Sequence, residues 1–271
     1  MSSQGSPLTP LTPNQESDHS PTSPKTESDG PKLTHDTPTH DTLGIKLQRR
    51  VWSHRASSWD HEGSAGLDAV VSAVLDVSSV KPRDLVVDLG CGTGQLSIPL
   101  AKQGALVKAV DVSQAMIDRL KIKTSDLGID SIEGIVLPIE QLNFSPGSID
   151  LVVSNYALHH LRDADKQAAV KASVGWLRPG GHLVIGDMMF SRGSTSRDRT
   201  IIKSKVMTLV ARGPGGWWRL AKNIVRFMLR VQERPVGMET WVKYFQDAGL
   251  IEVEAKPVVA EAAVVVGTKP I

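Results

Sequence analysis

Apolar positions at Leu67, Val70, Val71, Val74 and Leu75 recur at helical spacing and predict a helix through Leu67–Val77. The pattern then changes to short unbroken apolar runs. Asp84–Gly90 (DLVVDLG), bounded by Pro82 and a glycine-rich stretch, reads as a buried strand. Helical spacing returns over Gln95–Gly104, and the chain continues to alternate. Strands are predicted at Leu106–Asp111, Glu133–Leu137, Ser148–Asn155 and Gly181–Asp187, with helices at Ser113–Leu127 and Asp163–Trp176. Arg178-Pro179-Gly180-Gly181 reads as the turn before the last of these strands. A helix over Thr240–Leu250 follows, then Ile251–Val259 and Glu261–Lys269 as an antiparallel strand pair.

Strands alternating with helices of these lengths indicate an α/β fold around a mostly parallel sheet. Ligands of such sheets bind at the carboxyl ends of the strands, near the switch in strand order. The loops after Val87, Val110, Val136, Val153 and Ile185 are therefore the places to look for chemistry.

Composition divides the chain of 271 residues into regions that its formal net charge of +2 conceals. Residues 1–44 are rich in Ser, Thr, Pro, Asp and His, with six acids against two lysines, net −4. Too little apolar surface is available there to offset the entropy of ordering, so a disordered tail is expected. Its six Ser-Pro or Thr-Pro dipeptides and the repeat THDTP-THDT leave open phosphorylation or a weak His/Asp metal site. Residues 45–271 read as one globular domain. Within it, residues 191–235 carry eleven Lys and Arg against Asp198 and Glu233, net +9. The single cysteine, Cys91, excludes an internal disulfide framework and a cysteine-based zinc site, and no metal ligands are expected in the globular domain. No run of about 18 apolar residues and no secretory signal are seen, so the expected compartment is the cytoplasm.

The glycine-rich stretch carries the sharpest information. Gly90, Gly92 and Gly94 give G-x-G-x-G, and Gln95 stands where a dinucleotide fingerprint would place its third glycine. Asp88, two residues before the loop, would oppose a pyrophosphate but suits a ligand presenting a cation or a hydrogen-bond donor. Asp88-Leu89-Gly90-Cys91-Gly92-Thr93-Gly94 resembles the first motif of class I S-adenosylmethionine (SAM)-dependent methyltransferases, most closely the small-molecule group that includes ubiquinone/menaquinone-type C-methyltransferases. The resemblance covers roughly Val51–Asp187 and, more loosely, the carboxyl end. It implies a Rossmann-like methyltransferase fold with SAM as cofactor. It also implies a set of cofactor-binding residues: Asp88, Gly90, Cys91, Gly92, Gly94, Asp111, Val112, Ile139 and Asn155. Asp88 would attract the cationic methionine end, Asp111 would take the ribose hydroxyls or else cap the following helix, and Val112 would flank the adenine. Relatives usually carry an Asp for the adenine amino group where this chain has Pro138, which leaves the Ile139 backbone, Glu140 or Gln141 to substitute.

Methyl transfer needs a base only when the acceptor must lose a proton. His61, His159, His160 and Asp187 are the candidates, and none is singled out by sequence. Trp59, Asp60 and His61 lie where relatives fold an element over the cofactor, so they read as a lid or as an aromatic staple onto the core. Trp217–Arg230 has Arg219, Lys222, Arg226 and Arg230 on one helical face and apolar residues on another. Such a basic amphipathic helix could line the pocket of an apolar or acidic acceptor, rest on an anionic membrane, or cap the domain with a solvated basic face. No base-reading motif accompanies the charge, so nucleic acid is not the expected partner. The expected activity is transfer of a methyl group from SAM to a small hydrophobic acceptor. The alternatives are a SAM-binding protein that no longer transfers methyl groups and a peripheral membrane module.

Overall fold

The computed structural model describes residues 65–191 and 234–271, with Ile45, Arg49, Arg50, Trp52, Ser53, Ser196, Arg199, Thr200, Lys203 and Met207. The expected tail, the lid residues Trp59, Asp60 and His61, and the basic helix Trp217–Arg230 lie outside the described residues.

In chain order the elements are α1 (Ala65–Ser78), β1 (Leu85–Leu89), α2 (Ser97–Lys102), β2 (Leu106–Asp111), α3 (Gln114–Asp126), β3 (Ile132–Val136), β4 (Ile149–Asn155), α4 (Asp163–Trp176), β5 (Leu177–Met188), α5 (Met238–Asp247), β6 (Ile251–Pro257) and β7 (Ala262–Thr268). The seven strands form one sheet in the order β3-β2-β1-β4-β5-β7-β6. The first five neighbours are parallel, and β7 runs antiparallel to both β5 and β6. This is the mostly parallel α/β architecture with a C-terminal antiparallel pair that the sequence predicts.

Both faces of the sheet are covered, and the two-residue strand period sorts side chains between them. Val86, Val107, Ala109, Leu151, Val153 and Val184 face α1, α2 and α3, where Val70, Val74, Leu100 and Ile117 meet them. Val87, Leu89, Val110, Val152, Leu183 and Ile185 face α4 and α5, packing with Trp176, Trp241 and Phe245. Asp88 falls on the first of these faces, between two apolar positions, and is 1% exposed. A central parallel strand offers no polar exterior, so a carboxylate there must find its partners inside the protein.

One expected turn differs. Arg178–Gly181 does not precede the fifth strand but lies within it. Ile149 pairs with Leu177 and Leu151 with His182, so one residue of β4, Asp150, stands opposite four of β5, Arg178–Gly181, which bulge out. The bulge is held from the other side, because Gly180 N–H donates to the Lys269 carbonyl (2.9 Å) and Lys269 N–H to that of Gly181 (2.8 Å). Gly180 has φ +74°, which favours glycine.

Candidate active site

Strand order reverses between β1 and β4, and the chain leaves both strands at the same end of the sheet. A cleft opens there, lined by the segments that follow β1, β2, β3 and β4. Gly90 turns the chain out of β1 with φ +73°, and the amides of Gly90 and Cys91 both donate to the Val110 carbonyl (2.8 and 2.9 Å). A Cβ on Gly90 would stand 2.3 Å from that of Ala157, so glycine lets the loop lie against the end of β4. Gly94 has a different task. It does not line the cleft, and a Cβ there would meet Leu120 at 2.4 Å.

Two carboxylates occupy adjacent strand ends. Asp88 accepts a hydrogen bond from Ser97 Oγ at 2.6 Å, and Asp111 accepts from the backbone N–H of Gly92 (3.0 Å) and of Ser113 (2.8 Å). Ser113 is the N-cap of α3, so Asp111 ties the glycine loop to β2 rather than capping the helix itself. Burial pushes Asp88 up from the ordinary 3.8 to about 7, with the Ser97 bond opposing and the nearby Asp111 charge adding. Burial likewise raises Asp111 against its backbone hydrogen bonds. Cys91, wedged near both acids, has its thiol pushed well up, first by burial and then by their charges. It is therefore a neutral thiol, not a nucleophile.

The end of β4 is strained and incompletely satisfied. Both polar atoms of the Asn155 side-chain amide are buried without a hydrogen-bond partner, which costs about 1–3 kcal/mol per group. Tyr156 follows with φ +50°, held by its N–H donating to the Gly186 carbonyl (2.9 Å). Such strain persists where the surroundings over-determine it, commonly at sites that bind something. The Tyr156 phenol is raised to about 12 by burial and then by Glu261 and Asp187, so it stays protonated at neutral pH.

The two adjacent histidines separate. His159 is buried beside Asp187, which accepts from its backbone N–H (2.8 Å) and faces its ring Nδ1 at 2.5 Å. His160 lines the cleft with its ring 3.9 Å from that of His159. Of the expected cofactor residues, Asp88, Gly90, Cys91, Gly92, Asp111, Val112, Ile139 and Asn155 line the cleft, with Pro138 and Glu140 beside them. Among the candidate bases, only His160 lines it, whereas His159 and Asp187 do not and His61 lies outside the described residues. Sequence reasoning missed Trp52, which lines the cleft from a helical residue well before β1. The signal available was its place in Val51–Gly63, the segment that relatives fold over the cofactor, where the resemblance drew attention to Trp59 instead. Among the described residues no cluster of metal ligands occurs, and no helix is long and apolar enough to cross a membrane.

Residues 86–181 match a family described as a methyltransferase domain. An uncharacterised methyltransferase of Geobacillus kaustophilus is 32% identical over 151 residues, 55% of this chain and 63% of that protein. A carboxy-S-adenosyl-L-methionine synthase of Vibrio campbellii is 30% identical over 146 residues, 50% of this chain and 58% of that protein. The chain thus spans about three-fifths of the length of these curated relatives. Among solved structures, phosphoethanolamine N-methyltransferase 2 of Haemonchus contortus in complex with S-adenosyl-L-methionine superposes with a TM-score of 0.62 at 14% identity, covering 87% of this chain and 62% of that one. At that identity the likeness is one of fold. Sheet order, the glycine loop between β1 and α2 and the sequence match agree: residues 86–181 match a methyltransferase domain, and the fold is that of class I S-adenosylmethionine-dependent methyltransferases.

Proposed function

We propose that this protein transfers a methyl group from SAM to a small hydrophobic acceptor. The observation that carries this reading is the charge of the cleft. Asp88, Asp111 and Glu140 line it, and no Lys or Arg does so among the described residues. A dinucleotide pyrophosphate would meet like charge there, whereas the sulfonium and ammonium of SAM meet opposite charge. The unpartnered Asn155 amide is a second sign that a polar ligand completes the site.

SAM supplies an electrophilic methyl group on its sulfonium. On this reading Asp88 holds the α-ammonium from the cleft floor, and a bound cation draws its carboxyl into the ionised form. Asp111 accepts from the ribose hydroxyls with the lone pairs left by its two backbone donors. Val112 and Ile139 flank the adenine, and Pro138 supplies no side-chain acceptor to it. Leu96, Met116, Leu161 and Trp52 give the cleft its apolar wall, which favours a hydrophobic acceptor and keeps water from the reacting atoms. His160 is the imidazole on the cleft wall and can take a proton from an acceptor that must lose one. The buried His159–Asp187 pair supports it from behind and does not itself face the cleft.

A relative is named for making carboxy-SAM, a product with one more carboxylate. The acid-rich lining disfavours that ligand, so methyl transfer is the better reading. Calorimetric titration of ligand-stripped protein with S-adenosylhomocysteine (SAH) and with NAD tests it. Saturable binding of SAH alone, lost in Asp88→Ala, is expected. NAD binding, or binding of neither, refutes the reading. With SAH bound, SAH release during incubation with SAM and a panel of hydrophobic acceptors distinguishes an active enzyme from one that only binds.

A further inference from the structure

Arg49, Trp52 and Ser53 are helical, and their spacing puts all three on one helical face. Each meets a different part of the cleft rim. Arg49 Nε donates to the Val112 carbonyl (3.3 Å), the Ser53 and Ser113 hydroxyls pair at 3.2 Å, and the Trp52 ring stands edge-on to His160 with centroids 5.0 Å apart. Val112 and Ser113 follow β2, while His160 follows β4. The helical face therefore bridges the two sides of the cleft, with Trp52 on its lining. Arg49, Trp52 and Ser53 lie outside residues 86–181, which carry the family match, whereas their partners Val112, Ser113 and His160 lie within them. Within the matched residues Tyr156 and His160 also line the cleft, and Trp52 adds an indole to them.

We propose that Trp52 forms a wall of the donor site that senses positive charge, so that sulfonium-bearing SAM is held more tightly than its uncharged thioether product SAH. The inference rests on the reading of the cleft as a SAM site. An indole face attracts a cation electrostatically, more strongly where water is excluded, and the effect does not extend to a neutral sulfur. The acid-rich lining acts in the same direction. Preference for donor over product would let SAH leave after each turnover without a separate opening step.

The test compares SAM and SAH affinities by calorimetry in the full chain, for wild type and for Trp52→Leu, which keeps apolar bulk but has no π face. SAM affinity is expected to fall about tenfold and SAH affinity by less than about threefold, the span of a partly desolvated cation–π contact. Equal losses for both ligands would show that Trp52 only packs, and no loss for either would show that the ring does not reach the ligand. Either result overturns the proposal. Failure of wild type to bind SAM and SAH would instead strike the reading of the cleft itself. Should Trp52→Leu not fold, Trp52→Phe decides with SAH and sinefungin, an analogue bearing an ammonium in place of the sulfonium. An unchanged sinefungin-to-SAH affinity ratio overturns the proposal, and a fall of about threefold supports it.

Discussion

Replacing Asp88 with asparagine isolates what the buried carboxylate costs the ligand-free protein. Its pKa is near 7 in the fold against 3.8 ordinarily, a rise of about three units dominated by burial. The unfolded chain gives up this proton near pH 4, while the folded protein keeps it to about pH 7. The folded state thus binds more protons across that window, and the group's contribution to stability falls as pH rises from about 4 to 7, then levels off. At 1.36 kcal/mol per pH unit, the full cost above pH 7 is about 4 kcal/mol, of which roughly a third is already present at pH 5. Asparagine can still accept from Ser97 Oγ but brings an amide N–H₂ that needs partners, a roughly constant penalty of about 1–3 kcal/mol. The absolute effect of Asp88→Asn therefore depends on local fit, but its pH dependence does not. Between pH 5 and pH 8 the variant should gain about 2–3 kcal/mol on wild type, about 5–10 °C in relative Tm for a domain of this size. Thermal melts of both proteins across this range, without ligand, measure it. The variant should also lose the Tm increase that SAH gives wild type at pH 8. Parallel melting curves at all pH values would refute the claim that Asp88 enters the fold as a strained carboxyl.

Pro138→Asp restores a side-chain acceptor beside Ile139 and should raise SAM affinity between about twofold and tenfold, the worth of one hydrogen bond; calorimetry showing no change would remove Pro138 as an adenine-site defect. Gly90→Ala places a Cβ 2.3 Å from that of Ala157 at φ +73° and should cost about 2–4 kcal/mol in urea unfolding. Asp187→Ala leaves the backbone N–H groups of His159 and Met188 and the His159 ring without their buried acceptor. A loss of about 3 kcal/mol is expected by denaturant titration, and a change below about 1 kcal/mol would show that the pair does not hold this end of the sheet.

The sheet was legible because its signal is local. Short β-branched runs alternating with helical spacing define a doubly covered parallel sheet. The strand at Leu106–Asp111 and the helix at Asp163–Trp176 were readable to the residue, since burial of both strand faces and one helix face dictates residue type. The bulge at Arg178–Gly181 was not, because Pro and Gly signal a change of direction without saying whether pairing continues on the far side. Here Lys269, almost ninety residues later, holds the segment in the sheet.

The site divides in the same way. The acid and glycines from Asp88 to Gly94 are contiguous, so sequence alone determined that a nucleotide-like ligand with a positive end belongs there. Which histidine faces the cleft could not be read, because His159 and His160 are neighbours and only Asp187, on another strand, draws one of them inward. Nor could the part played by Trp52, or the cost of burying Asp88, be read from the chain. Both depend on what residues distant in sequence place around one point, and it is tertiary structure that sets the local dielectric, the partners left unpaired and the ring that lines the cleft.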